Sequence, residues 1–251
     1  MKKFGLIGFP LGHSFSKKYF TEKFEQENID ARYDLYELAN INDFETLKEK
    51  FKFFGLNVTI PYKEKIIQYL DEIDETASII GAVNVIKFIC EEGKMRLKGY
   101  NSDAIGFENS IKPHLKPFYK KALILGTGGA SKAINYVLQK NEIQTTFVTR
   151  FDKIGMLTYE QLDEESIKEN LIIINATPIG TFPDFDECPN IPYKFLTNKH
   201  LLFDVVYNPA ETMFLKNGKA RGANTLNGED MLTGQAAAAW EIWNSNEINN
   251  I

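Results

Sequence analysis

Lys63 ends the run Asn57-Val58-Thr59-Ile60-Pro61-Tyr62, in which a short apolar strand closes on Asn and Thr, turns at proline and delivers an ammonium group to the start of a helix. A lysine there opposes the helix dipole. The carboxyl end of a strand in an open α/β sheet is, however, where ligands bind. Two more polar runs share that placement. Gly81-Ala82-Val83-Asn84 and Gly99-Tyr100-Asn101-Ser102-Asp103 put amides and a carboxylate on strand ends and a helix cap, and Asp103 taken alone reads as a helix-start acid. Gly8-Phe9-Pro10-Leu11-Gly12-His13-Ser14-Phe15-Ser16 follows the first strand. A helix cap, expected at Ser16, accounts for one of its serines and leaves Ser14 for a ligand. Lysine and aspartate side chains are suited to holding and moving a proton at a reacting oxygen.

A different chemistry sits later in the chain. Lys121 to Leu125 is an apolar strand, Gly126-Thr127-Gly128-Gly129 a turn, and Ala130-Ser131-Lys132 the opening of a helix. Gly126 allows the sharp turn, Gly128 allows backbone to approach a pyrophosphate, and the helix from Gly129 offers N–H groups and a positive dipole end to the anion. Ser131 takes the place of the third glycine of the dinucleotide pattern and is small enough for helix and strand to stay close. The next strand ends at Thr149-Arg150. An acid at that place holds a ribose hydroxyl and an arginine the 2′-phosphate, so Arg150 points to NADP, with Asp152 as an opposing charge nearby.

The elements that must carry these groups follow from periodicity. Short apolar runs at residues 4–8, 33–37, 55–58, 123–125, 145–149, 171–175 and 201–206 alternate with amphipathic stretches at 16–27, 43–51, 130–140 and 231–244. The chain is therefore α/β, and parallel sheets are expected. A strand pair at 83–90 and 95–99 precedes the helix beginning at Ser102, which places a domain boundary there. The expected organisation is a domain of residues 1–101 completed by a terminal helix at 229–251, with a second domain at 102–228.

With 43% apolar and 25% charged residues the composition is that of a globular protein. A net charge of -5 argues against a nucleic-acid partner. No apolar run approaches the ~18 residues of a membrane span. Cys90 and Cys188 form no C-x-x-C pattern and His13, His114 and His200 have no zinc-ligand spacing, so a reduced, cytoplasmic protein without a metal is expected.

Taken together, these segments resemble the shikimate dehydrogenase family. The resemblance runs from Gly5 to about Ala239 and also takes in Asn175-Ala176-Thr177-Pro178-Ile179-Gly180, Asp204-Val205-Val206-Tyr207-Asn208-Pro209 and Asn227-Gly228-Glu229-Asp230-Met231 through Gln235. It implies an N-terminal α/β substrate domain and a Rossmann-type, doubly wound dinucleotide domain with a cleft between them. It also implies NADPH-dependent reduction of 3-dehydroshikimate to shikimate, a step of aromatic amino-acid biosynthesis. Residue by residue, it makes Lys63 and Asp103 the catalytic pair and Ser14, Ser16, Thr59, Asn84, Tyr207 and Gln235 the substrate contacts. The cofactor contacts are Gly126, Gly128, Gly129, Ala130, Arg150, Thr177, Val205, Gly228 and Met231. Lys17, Val85 and Ser102 depart from the family pattern and remove no reacting group. A ketone reduction needs a proton at oxygen; Lys63 is the candidate donor and Asp103 is expected to orient it, with the formal transfer open between the two. A quinate/shikimate dehydrogenase of broader specificity and a non-catalytic ligand-sensing homologue are the rival readings, and a monomer or homodimer is expected.

Overall fold

The computed structural model describes residues 1–12 and 14–245. His13, expected to position its loop, and residues 246–251 of the expected terminal helix lie outside the described residues. The elements are β1 (Lys2–Gly8), α1 (Phe15–Gln26), β2 (Ala31–Glu37), α2 (Asp43–Lys50), β3 (Gly55–Val58), β4 (Glu72–Ile73), α3 (Glu75–Ile80), β5 (Val85–Glu91), β6 (Lys94–Tyr100) and α4 (Ser102–Ile111). They continue with β7 (Lys121–Leu125), α5 (Gly129–Lys140), β8 (Gln144–Thr149), β9 (Leu157–Thr158), α6 (Glu164–Glu169), β10 (Ile172–Asn175), β11 (Leu201–Asp204), α7 (Met213–Lys219), β12 (Asn224–Leu226) and α8 (Glu229–Asn244). The chain divides into one unit of Met1–Ser102 with Gln235–Ile251 and another of Asp103–Gly234.

In the first unit a six-stranded sheet runs in the order β2-β1-β3-β5-β6-β4. It is not wholly parallel, as periodicity alone suggests. β5 pairs antiparallel with both β3 and β6. The physical reason is the connection: β5 and β6 are joined by Glu92 and Gly93 alone, both at positive φ (49 and 77). Such a two-residue turn links only antiparallel strands. Alternation along β1 sends Phe4 and Leu6 into an aromatic cluster with Phe20, Phe24, Tyr33 and Trp243, while Ile7 joins a second cluster with Phe44, Leu56, Val58 and Ile86.

The end of α8 is fastened to this sheet. Trp243 Nε1 donates to the Ile86 carbonyl at 3.0 Å, and an added Cβ at Gly55 would fall 2.2 Å from that nitrogen, so only glycine leaves room for the indole. Lys87, 1% exposed in mid-strand, donates to the Ser245 carbonyl at 2.6 Å and to its hydroxyl at 3.0 Å. A buried ammonium is tolerated only with such partners.

The second unit holds a fully parallel six-stranded sheet in the order β12-β11-β10-β7-β8-β9. Its inner strands β7, β10 and β11 are near-continuous apolar runs, as a doubly covered parallel sheet requires. β11 stops at Asp204, short of the expected 206. The cause is the Asp204 carboxylate, which accepts from the Val206 N–H at 3.0 Å and turns the backbone there.

The unit limits also differ from the expected ones. Ser102 stays with the first unit because its backbone and hydroxyl are bonded to Asn84. Residues 229–234 of α8 fall with the second, where an added Cβ at Gly234 would meet the Gly106 Cα at 3.2 Å. Among the described residues no helix is long and apolar enough to cross a membrane.

Candidate active site

In the first unit β1 leads to β2 on one side and β3 lies on the other. The strand order therefore reverses between β1 and β3, and the carboxyl ends of strands at such a reversal are where open α/β sheets bind ligands. Ser14 and Ser16 follow β1; Thr59 and Lys63 follow β3. The two loops are tied together: Thr59 N donates to Ile7 O at 2.9 Å and Phe9 N to Ile60 O at 3.0 Å. Gly8 is required at this crossing, since a Cβ would lie 2.5 Å from Thr59 Cγ2. Ser14, not Ser16, is the N-cap of α1, its hydroxyl accepting from Lys17 N at 3.3 Å; Ser16 sits inside the first turn. The serine left over by capping is therefore the reverse of the one expected.

Lys63 is half-buried in the turn ahead of a short 3-10 helix, Lys65–Tyr69. Its carbonyl accepts from Val83 N at 2.7 Å, which brings Lys63 beside the strand entry that carries Asn84. From Asn84 a buried polar chain runs in both directions. Its carbonyl accepts from Asn57 Nδ2 at 3.3 Å, and Asn57 Oδ1 accepts from the Tyr33 hydroxyl at 2.8 Å. Burial pushes the Tyr33 phenol up, while a hydrogen bond with Ser16 opposes that rise. On the other side Asn84 Oδ1 accepts from Ser102 N at 2.7 Å, Asn84 Nδ2 donates to Ser102 Oγ at 3.0 Å, and that hydroxyl reaches Gln235 Oε1 at 3.5 Å. Ser16, Asn84 and Gln235 thus stand along one network. Asp103 follows Ser102 directly on α4 and is 5% exposed.

Sequence reasoning missed the linking residues. Tyr33 reads as an ordinary strand aromatic and Asn57 as a strand end. Their signal was the coincidence of a polar-tipped ring and an amide on strands meant to be buried.

The second unit has its own reversal, between β7 and β10. Gly126 follows β7 at φ 106, where side chains are strained, and a Cβ there would lie 3.0 Å from Thr177 Cγ2 and 3.1 Å from Ala176 O. Gly128 is the N-cap of α5 with no side-chain cap, and nothing lies within 4 Å of the place its Cβ would occupy. Gly129 and Ala130 open the helix. Uncapped first-turn N–H groups beside open space fit a pyrophosphate.

Thr177 has a second duty, donating its hydroxyl to Asn175 Oδ1 at 2.6 Å; Asn175 Nδ2 donates to Asp204 Oδ1 at 2.9 Å and Thr212 Oγ1 to Asp204 Oδ2 at 2.6 Å. Burial lifts the Asp204 carboxyl to about 6 against the pull of these donors. Val205 follows, and Gly228 packs so tightly on it that a Cβ would fall 2.2 Å from the Val205 carbonyl oxygen. Met231 on α8 is buried, and the Tyr207 ring is 39% exposed. Arg150 stands exposed just past β8, with its guanidinium 5.9 Å from the Phe151 ring centre. Asp152 is exposed.

Of the predicted residues, Ser14, Ser16, Thr59, Lys63, Asn84 and Gln235 belong to the first unit, and Asp103, Tyr207 and all the cofactor candidates to the second. Of the histidines, His200 is spoken for structurally, between Thr197 and the Ile167 carbonyl.

Residues 6–86 match the family model of the shikimate dehydrogenase substrate binding domain. A shikimate dehydrogenase (NADP(+)) of Methanosphaera stadtmanae is 39% identical over 95% of this chain and 90% of its own length. One of Halothermothrix orenii is 40% identical over 95% and 89%. The crystal structure of shikimate 5-dehydrogenase from Thermus thermophilus in complex with NADP(H) and shikimate superimposes with a TM-score of 0.83, at 30% identity, over 97% of this chain and 94% of that one. With identity of this order spread across both units, the chain belongs to the shikimate dehydrogenase family.

Proposed function

We propose that this chain catalyses the reversible NADPH-dependent reduction of 3-dehydroshikimate to shikimate, an oxidoreductase step at a CH–OH group in aromatic amino-acid biosynthesis. The observation that carries the reading is a chain holding two strand-order reversals of opposite character. One is lined with hydroxyls, amides and an ammonium group; the other is floored by glycine and an uncapped helix N-terminus. The first suits a hydroxylated acid and the second a dinucleotide.

NADPH, when bound, supplies the hydride. Gly126, Gly128, Gly129 and Ala130 would hold its pyrophosphate, Arg150 its 2′-phosphate and Met231 its nicotinamide, with Thr177, Val205 and Gly228 near the cofactor. Ser14, Ser16, Thr59, Asn84, Tyr207 and Gln235 bind the substrate's carboxylate and hydroxyls. Lys63 holds a proton at the carbonyl oxygen, and Asp103 orients Lys63 and a substrate hydroxyl. Lys63 sits one hydrogen bond from Val83, next to Asn84, and Asp103 follows the serine that Asn84 grips; both support the pair. The free thiols of Cys90 and Cys188 support a cytoplasmic location, and we take the enzyme as a monomer or homodimer.

Following absorbance at 340 nm with shikimate and NADP tests the reading, with quinate in parallel. Rapid shikimate-dependent reduction with little on quinate is expected; comparable turnover on both acids would assign the broader specificity, and none on either acid would leave a ligand-sensing protein.

A further inference from the structure

The segment after β8 exposes apolar surface that the fold does not use. Phe151 is 71% exposed and belongs to none of the buried clusters of the second unit, although it directly follows Arg150. The Arg150 guanidinium stands 5.9 Å from the centre of that ring, and its charge also acts on Tyr159. The arginine thus lies at the edge of cation–π range of the ring. A large apolar ring left in water costs hydration free energy unless something covers it.

The place says what covers it. Arg150 lies at the end of the strand next to β7, and β7 delivers the glycine turn. In a doubly wound unit the end of that strand is where the adenosine ribose of a dinucleotide lies. A flat ring beside the group that takes the 2′-phosphate is within reach of the base attached to the same ribose.

We infer that Phe151 is the stacking platform for the adenine of NADP, with Arg150 taking the adjoining phosphate. This rests on the assignment of Arg150 above and adds a separate contact. The two contacts have different signatures. Stacking acts on a base that NAD and NADP share, so Phe151 governs affinity for both and leaves their ratio alone. The phosphate contact acts on NADP only, so Arg150 governs the ratio.

Calorimetry on the full-length protein with 2′,5′-ADP and NAD, plus emission from a Phe151→Trp variant, makes the test. Phe151→Ala should weaken 2′,5′-ADP and NAD alike, by about five- to 150-fold, the usual range for losing one base–aromatic stack. Phe151→Tyr should bind 2′,5′-ADP within about twofold of the parent. The tryptophan of Phe151→Trp should be quenched by 2′,5′-ADP beyond any change in the parent's emission. Unchanged binding in Phe151→Ala together with unquenched emission in Phe151→Trp overturns the stacking, even if Arg150→Ala still loses 2′,5′-ADP. Loss of both ligands in Phe151→Ala with no effect of Arg150→Ala would keep the stacking and sink the phosphate assignment instead.

Discussion

The two units present the same topological opportunity and fill it with opposite materials. Each reverses strand order between neighbouring parallel strands, β1 and β3 in one and β7 and β10 in the other, and in each a glycine at the first strand's end is pressed against a threonine that follows the second. The first unit then uses side chains. Tyr33, Asn57, Asn84, Ser102 and Gln235 form a buried chain whose lone pairs and protons are assigned to one another, so that amides and hydroxyls stand in fixed orientations. The second unit removes side chains, leaving Gly128 open at the head of α5. A small acid with several hydroxyls must be told apart by where its oxygens lie. A pyrophosphate needs only charge and close approach, which backbone N–H groups provide.

The comparison breaks most visibly at Lys63. Lys63→Ala is expected to lower kcat about 10²- to 10⁴-fold with a much smaller change in shikimate affinity, because proton transfer and binding reside in different groups. Steady-state rates beside direct shikimate binding check this, and a near-normal kcat removes Lys63 from the chemistry.

Asp204 sharpens the contrast from the other side, since this carboxylate, buried in the second unit, supports a turn. Its folded value of about 6 lies above the ordinary 3.8, so the folded state holds the extra proton between them. The stability this contributes is complete below about pH 4 and is lost as pH rises through about 6. Relative to Asp204→Asn, the parent should therefore lose up to roughly 3 kcal/mol between pH 4 and 7, measured by urea unfolding. A difference that does not vary with pH contradicts the burial argument.

Arg150→Ala should lower kcat/KM for NADP about ten- to hundredfold and leave NAD unchanged. A ratio that stays put would make Arg150 a plain surface charge. The smallest expected effect belongs to Tyr33→Phe, which removes the hydroxyl between Asn57 and Ser16. Shikimate KM should rise roughly threefold to tenfold, with about 1 kcal/mol lost in stability and NADP KM constant. If stability falls and shikimate KM stays constant, Tyr33 only supports the core.

The residues that announce chemistry in this chain are those whose type defies their position. A lysine at a helix start, paired serines after a strand and glycines between strand and helix were legible for that reason. So were the seven main apolar runs, because a parallel sheet needs them. The supports were hidden. Tyr33 and Asn57 look like common strand residues until β2 and β3 are folded near each other, and Lys87 looks like a surface lysine until α8 returns to it. The capping serine differs from the expected one by two residues because each serine could cap a helix that starts just after it, and only the helix start, Phe15, decides between them. The short strands β4, β9 and β12 carry too few residues for a period to show.

The division of labour between the two reversals is tested most directly by amide hydrogen exchange with each ligand alone. Shikimate should slow exchange in residues 8–16 and 57–63 and leave 126–132 as in the free protein, while NADP should protect 126–132 and residue 150 and leave 57–63 unchanged. Protection of the glycine turn by shikimate alone, or of residues 57–63 by NADP alone, would contradict the account.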